Sequence, residues 1–498
     1  MAGGKKRALP GGPASAAKRQ KSKQCPYLDT VDRNVIDFDF EKVCSVTLSK
    51  LNVYACLVCG KFFSGRGKST PAYTHSVEEG HYVFMKLDDG EGKMYCLPDN
   101  YPIVDPSLDD VKHNLRPAYT PEQIAALDGN SKLSIDSFGS AYLPGFVGLN
   151  NLGCTDYANA LVQALAHVQP LRDFFMQREN YSGVKSAVVQ AFGDLVCRMW
   201  NSKRFKATVC PHELIQAVTT ASKKCFRIGH RSDCAMFASW LLNLLHRELC
   251  KHAKKRASVV FDCFQGQVEV SEGHEAKAKR VNFLHLTLDL PETPLFADEK
   301  ANGDDDDESA MMMIPQISLY DILRKFNGRS VSGATQRRYI VTKTPRYLML
   351  HIKRFSKNTY RAEKNPTIVS FPVQNLEMKP FTKRQDDFDA MGIKELKEWC
   401  VSRGASVAGV VEKAELARRA RDAAGSTKYN LVSSICHGGG NEKLIGAKDK
   451  DPMQAGQFRV HVRNRTQWYE IEDLQVRETM PQEVAVSESY MLVYERAS

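Results

Sequence analysis

The sequence predicts an α+β chain, a small metal-bound module followed by a larger domain with both helices and strands. Three observations carry this. Cys56 and Cys59 are separated by two residues, and His75 and His81 follow at spacings that suit one tetrahedral ion. Ala158, Leu161, Val162 and Leu165 recur at helical intervals, as do Ala191, Leu195, Val196 and Met199. Tyr347-Leu-Met-Leu-His-Ile-Lys353 is a near-continuous apolar run, followed by Arg354, and reads as a core strand.

The chain has 498 residues, which suggests about three domains. No apolar run is long enough to cross a membrane, and the N-terminal residues lack the apolar core of a secretory signal. Fourteen cysteines are scattered without a dense pairing pattern, which fits a reducing compartment. Net charge is +11, and part of it sits at the start of the chain. Residues 1–24 carry seven Lys or Arg and no acid, among Gly, Ala, Pro and Ser, so a disordered basic tail is expected. Lys5-Lys6-Arg7 and Lys18-Arg19-Gln20-Lys21, ten residues apart, form a bipartite nuclear-localisation pattern and imply a nuclear protein. The same tail suits RNA phosphates without sequence preference, or simple solubilisation. The acidic run Asp304 to Glu308 reads as a solvated loop.

In the metal module, Tyr54-Ala-Cys56-Leu-Val-Cys59-Gly60 has the form of a zinc knuckle, with Gly60 permitting the tight turn. Cys56, Cys59, His75 and His81 together supply a set for structural zinc. Cys25, Cys44 and Cys96 lie in the same segment, and their spacing does not decide whether they hold a further ion.

The larger domain opens on Gly148-Leu-Asn-Asn-Leu-Gly-Cys-Thr-Asp156-Tyr-Ala-Asn-Ala-Leu-Val-Gln163, with a buried helix starting near Asp156. A cysteine at such a helix start would be activated, because free N–H groups and the helix dipole favour the thiolate. Asp156 keeps the negative charge but is a poor attacking group for an amide. The plainer reading is that Asp156 caps the helix.

This stretch resembles the Cys box of the ubiquitin-specific proteases, G-L-x-N-L-G-N-T-C-Y-x-N-x-x-L-Q. The resemblance puts Asp156 at the catalytic Cys and Cys154 at the Asn that helps hold the oxyanion. Gly456-Gln457-Phe458-Arg-Val-His461 resembles the family's G-H-Y box, with Gln457 at the general base. Trp468-Tyr-Glu-Ile-Glu472-Asp473 resembles the third box, with Glu472 at the residue that orients the base. The implied triad, Asp156, Gln457 and Glu472, is degenerate. Losing nucleophile and base together abolishes cysteine-protease chemistry, so the expectation is a pseudo-deubiquitinase and no enzyme. A rescue through Cys154 would take His461 or His437 as its base, and for His461 it fails on distance. His461 lies four residues past Gln457, roughly 13 Å along a strand, against the roughly 3 Å a base must reach. His437, in Cys436-His-Gly-Gly-Gly440, matches a non-catalytic His of the family box.

Residues 25–120 resemble a UBP-type zinc finger. In many such fingers a pocket takes the free C-terminal glycines of ubiquitin. The corresponding loop, Ser64-Gly-Arg66-Gly-Lys-Ser-Thr-Pro71-Ala-Tyr73, departs from that pattern and leaves Arg66 as a candidate carboxylate clamp. A protein–protein role is the expectation. Residues 121–144 read as a linker. Residues 145–498 resemble a USP-like, papain-related thumb-palm-fingers domain. In it Arg231-Ser-Asp233-Cys-Ala-Met-Phe237-Ala-Ser-Trp-Leu241 matches the family's Q-Q-D-A-x-E-F-L helix, and Tyr347–Phe355 its palm strand. No cysteine falls between Cys263 and Cys400, so the fingers are expected to fold without zinc. Within the domain, residues 387–424 resemble an SAP-type helix–loop–helix insertion, nearly charge-balanced, whose protein-docking, structural and RNA-binding readings stand side by side.

Cys25-Pro-Tyr-Leu-Asp29, Tyr95-Cys-Leu-Pro-Asp-Asn-Tyr101, Glu363-Lys-Asn-Pro-Thr-Ile-Val369 and Trp468–Val476 narrow the resemblance to the family's catalytically inactive branch associated with the U4/U6·U5 tri-snRNP. That resemblance implies a nuclear, non-catalytic splicing scaffold whose partners are tri-snRNP proteins, with direct snRNA contact left open. The alternative is a ubiquitin or ubiquitin-like receptor without protease activity.

Overall fold

Short apolar runs separated by turns between Val53 and Ile103 build a five-stranded antiparallel sheet. Its strands are β1 (Val53–Cys56), β2 (Phe62–Ser64), β3 (Val83–Lys86), β4 (Met94–Cys96) and β5 (Tyr101–Ile103), in the order β2-β1-β3-β4-β5. The turn after β1 needs Gly60, which has φ +73°. A Cβ there would lie 2.2 Å from the Val35 carbonyl oxygen. Helix α1 (Pro71–Glu78) starts on a proline, which suits a first helical position. Tyr54, Cys56, Phe63, Ala72, Phe84 and Leu97 form the small core.

The computed structural model describes residues 25–497 apart from 89, 273–277, 292–314, 332–335, 358–361, 384–390, 403–406, 408–411, 425 and 440–451. The basic tail and the acidic run lie outside the described residues. The chain divides into two units, Met1–Asp37 with Lys42–Leu115, and Phe38–Glu41 with Arg116–Ser498.

This division corrects two expected boundaries. Phe38–Glu41, expected inside the zinc module, belongs to the second unit. There buried Asp39 accepts hydrogen bonds from Arg204 Nη2 at 2.8 Å and from the Cys210 amide at 3.1 Å. Residues 121–144, expected as a linker, are also built into the second unit. Ile124 and Tyr142 are buried in its main core, and Tyr142 Oη donates to the Asn201 carbonyl. A helix-start signal is present, Thr120 with Gln123 three residues on and Pro121 between, and the structure forms that capping box, but the apolar side chains are too few and too widely spaced to show periodicity.

In the second unit, α2 (Asp156–Ala166), α3 (Ala187–Met199) and α4 (Cys234–Ala253) pack their apolar stripes together, burying Leu161, Leu195, Val196, Phe237 and Leu241. Asp233 caps α4 by accepting from the Met236 amide at 2.8 Å. The helices lie against a long sheet. Its path runs β8 (Leu286–Asp289), β10 (Tyr347–Lys353), β15 (Ser489–Arg496), β11 (Lys428–Gly438), β12 (Gln457–Asn464), β13 (Gln467–Glu472) and β14 (Gln475–Thr479). Only β8 and β10 pair in parallel along this path. The apolar run in β10 follows from burial on both faces. Tyr347 and Met349 enter the core with the helices, while Leu348, Leu350 and Ile352 enter a second core behind the sheet.

A separate sheet joins β6 (Gly266–Glu272), β7 (Lys279–Phe283) and β9 (Arg337–Lys343), in the order β9-β6-β7. Ahead of β11, α5 (Ile393–Ser402) and α6 (Lys413–Ala424) form a hairpin around Leu396, Cys400, Leu416, Ala417 and Ala420. Ile393, at the start of α5, is exposed.

Candidate functional site

In the small unit, β1 and its turn supply Cys56 and Cys59, α1 supplies His75, and the segment before β3 supplies His81. Their ligand atoms all lie within 4.8 Å of one another. Cys59 Sγ is 3.4 Å from His75 Nε2, which is 3.0 Å from His81 Nδ1. Tetrahedral zinc with its usual bond lengths places ligand atoms about 3.3–3.8 Å apart, so the set fits one such ion. Cys59 is held well below the ordinary thiol range, chiefly by the hydrogen bond from Cys56, whose own pKa is pushed up by retaining that proton. Arg66 stacks its guanidinium 4.1 Å over the Tyr95 ring. Cys25, Cys44 and Cys96 are buried free thiols outside the four-residue cluster.

In the large unit, Thr155 is the N-cap of α2 and Asp156 its first residue. Asp156 is 1 % exposed, and its carboxylate does not cap its own helix. Oδ1 accepts from Arg231 Nε at 2.9 Å, and Oδ2 accepts from the Phe458 amide at 2.7 Å. The carboxylate therefore ties α2 to the first residues of β12 and to the segment before α4. Arg231 Nη1 also donates to the Gln454 carbonyl at 2.6 Å, and Gln454 Nε2 returns a bond to the Arg231 carbonyl at 2.9 Å.

Gln457 Nε2 donates to Asp473 Oδ2 at 2.7 Å. The acid that meets Gln457 is thus Asp473, one residue past Glu472, where the family resemblance puts the orienting residue. Strand alternation explains the difference. Ile471 points into the core beside α2, so Glu472 turns to the other face, whereas Asp473 leaves the strand at φ +50°. Burial, and then the nearby Asp156 charge, raise the Asp473 pKa, against hydrogen bonding from Asn151. Asn159 and Gln163 hold the approach to α2, donating to the Asn150 carbonyl at 3.1 Å and the Val147 carbonyl at 2.6 Å. Their amide oxygens, Asn159 Oδ1 and Gln163 Oε1, have no hydrogen-bond partner among the described residues, and both side chains line a small cavity with Asp156, Phe458 and Asp473.

Cys154 is partly exposed, with φ +55°, and neither proposed base serves it. His437 is fully buried, and burial with the Lys364 charge lowers its pKa to about 3. His461 joins Cys436 and Glu470, with Nδ1 3.5 Å from Cys436 Sγ and Nε2 3.0 Å from Glu470 Oε2. This thiol–imidazole–carboxylate row crosses β11, β12 and β13. Cys436 is 0 % exposed, so no polypeptide reaches it. Burial opposes charge on both partners of the thiol–imidazole pair. Even so, His461 lowers Cys436 to about 7, and Cys436 with Glu470 raises His461 to about 9. That raised pKa carries a sign. Protonated His461 stabilises the fold fully below the ordinary value of about 6.5, and this contribution is lost as pH rises through about 9. An NMR titration of His461 should show the raised value falling in Cys436→Ser; an unchanged value would refute the pairing.

Sequence reasoning missed Arg231, Gln454 and Asp473. The available signal was Arg231 itself, a cation at the first Gln of the resembled helix motif, in a chain with an anion at the start of α2.

The family model described as "Ubiquitin carboxyl-terminal hydrolase" matches residues 147–494, and that described as "Zn-finger in ubiquitin-hydrolases and other protein" matches residues 44–108. The chain is 39% identical to human "Ubiquitin carboxyl-terminal hydrolase 39", over 96% of this chain and 80% of that protein. It is 37% identical to the Schizosaccharomyces pombe "Probable mRNA-splicing protein ubp10", over 95% and 88%. Among solved structures, "Crystal structure of an essential yeast splicing factor" superposes with a TM-score of 0.70 at 25% identity, covering 95% of this chain and 100% of that one.

Proposed function

The chain belongs to the ubiquitin carboxyl-terminal hydrolase family, and on that premise we propose that it keeps the fold without the chemistry. It is a non-catalytic pre-mRNA splicing factor, a scaffold for assembly or stability of the U4/U6·U5 tri-snRNP. The observation that carries this reading is similarity along nearly the whole chain to proteins named for splicing. The centre agrees with it. Asp156 and Gln457 stand at the family's Cys and His, and a buried carboxylate held by Arg231 and a backbone amide can neither attack a peptide nor be replaced there by a nearby thiol–imidazole pair. Cys56, Cys59, His75 and His81 hold a structural zinc that cross-links the small unit. The basic tail directs the protein to the nucleus, where tri-snRNP proteins and snRNA are its partners.

Affinity purification of the tagged chain from nuclear extract tests the reading. U4, U5 and U6 RNAs with their proteins are expected, together with no labelling by a ubiquitin-derived electrophile. Recovery of ubiquitin conjugates without those RNAs would overturn the scaffold in favour of a ubiquitin receptor.

A further inference from the structure

A dense patch of positive charge lies at the C-terminal end of α4. Lys251, His252, Lys254, Lys255 and Arg256 are all exposed. Arg247 and Lys251 stand at i and i+4, so they share one face of the last two turns, about 6 Å apart along the axis, and Lys254 follows as the left-handed C-cap. A second segment adds to them. A Cβ on Gly183 would lie 2.4 Å from His252 Cε1, so the chain around Gly183 lies against this helix end, and Lys185 is exposed two residues on.

The charge is not cancelled locally. Lys185, Lys251, Lys254, Lys255 and Arg256 form no ion pair among the described residues. The acids on the same segments are Glu248, 3.1 Å from Arg247, Asp262 and Glu179. The chain carries +11 and its tail +7, leaving +4 for the rest, and Lys251–Arg256 alone bears four Lys or Arg charges less none. Lysines in a last turn complement the helix dipole, which accounts for Lys251. It does not account for Lys255 and Arg256, beyond the C-cap Lys254, or for Lys185 from another segment.

We propose that this patch binds the phosphate backbone of RNA without sequence preference. A folded protein partner would want an apolar centre to its interface. Among the described residues, the exposed large apolar ones include none between Met236 and Val281, so the patch offers charge alone. Charge alone suits phosphates spaced along a strand. The choice of RNA among polyphosphates rests on the splicing reading.

The test is fluorescence anisotropy of the full chain with labelled oligouridylate across a salt series. Lys251→Gln/Lys254→Gln/Lys255→Gln/Arg256→Gln is compared with a control in which the seven tail cations become Gln. Removing four phosphate contacts should flatten the slope of log K against log salt by about 3 and weaken binding about 100-fold near physiological salt. Replacing the three lysines by arginine should preserve both. Unchanged affinity and slope in the patch variant would overturn the proposal, as would displacement of RNA by polyglutamate at equal charge, which marks an acidic-protein surface. An unchanged thermal transition shows that the variant is folded. Tagged wild type that recovers tri-snRNP proteins, beside a patch variant with undiminished RNA affinity, overturns the patch and leaves the scaffold standing.

Discussion

Cys56→Ser is expected to strip the metal from the small unit and unfold it. Zinc binding supplies about 10–16 kcal/mol to zinc-finger peptides near neutral pH. A unit of this size, with six fully packed core side chains in its central cluster, has only a few kcal/mol of its own to set against that loss. Metal analysis should find one zinc per wild-type chain and none in Cys56→Ser. Amide resonances of β1 to β5 should collapse while those of the large unit persist. Cys25→Ser, outside the four-residue cluster, should keep its zinc. A metal-free Cys56→Ser with an intact small unit would refute the cross-link, and zinc loss in Cys25→Ser would place a second ion in the segment.

Asp156→Ala should destabilise the large unit by about 3–5 kcal/mol. It leaves Arg231 desolvated without its anion and the Phe458 amide without its acceptor, and removes a negative charge from the N-terminus of α2. Arg231→Ala should cost a similar amount, since it strands a carboxylate that is 1 % exposed. Asp156→Cys/Arg231→Gln removes both charges and should cost less than either alanine variant, because buried pairs are replaced by neutral groups at little cost. Urea unfolding of the two singles and the double gives the coupling. Additive losses would show that Asp156 and Arg231 act independently and that their contact is incidental.

The centre was partly legible before the fold was known. The spacing of Ala158, Leu161, Val162 and Leu165 marked the start of α2 and put Asp156 on it, where the structure has it. Helical period needs only neighbouring residues, so it survives without tertiary information. The cap reading of Asp156 failed because a carboxylate at a helix start can turn outward to a cation the sequence does not place nearby. The assignment of Glu472 failed by one residue. Where a strand ends and its chain turns is a backbone matter, and a shift of one residue moves a side chain to the opposite face.

By itself the sequence determined Cys56, Cys59, His75 and His81 as one cluster and the carboxylate at the start of α2, together with the periods of the main helices. All are local, fixed by side-chain chemistry and by spacing within one or two turns. Only the tertiary structure decided that Arg231 neutralises Asp156, that Asp473 meets Gln457 and that Cys436 meets His461. Those neighbours are set by the register of β11 on β12 and by the packing of α2 against the sheet. A chain specifies such contacts through the sum of its burial, which no single spacing displays.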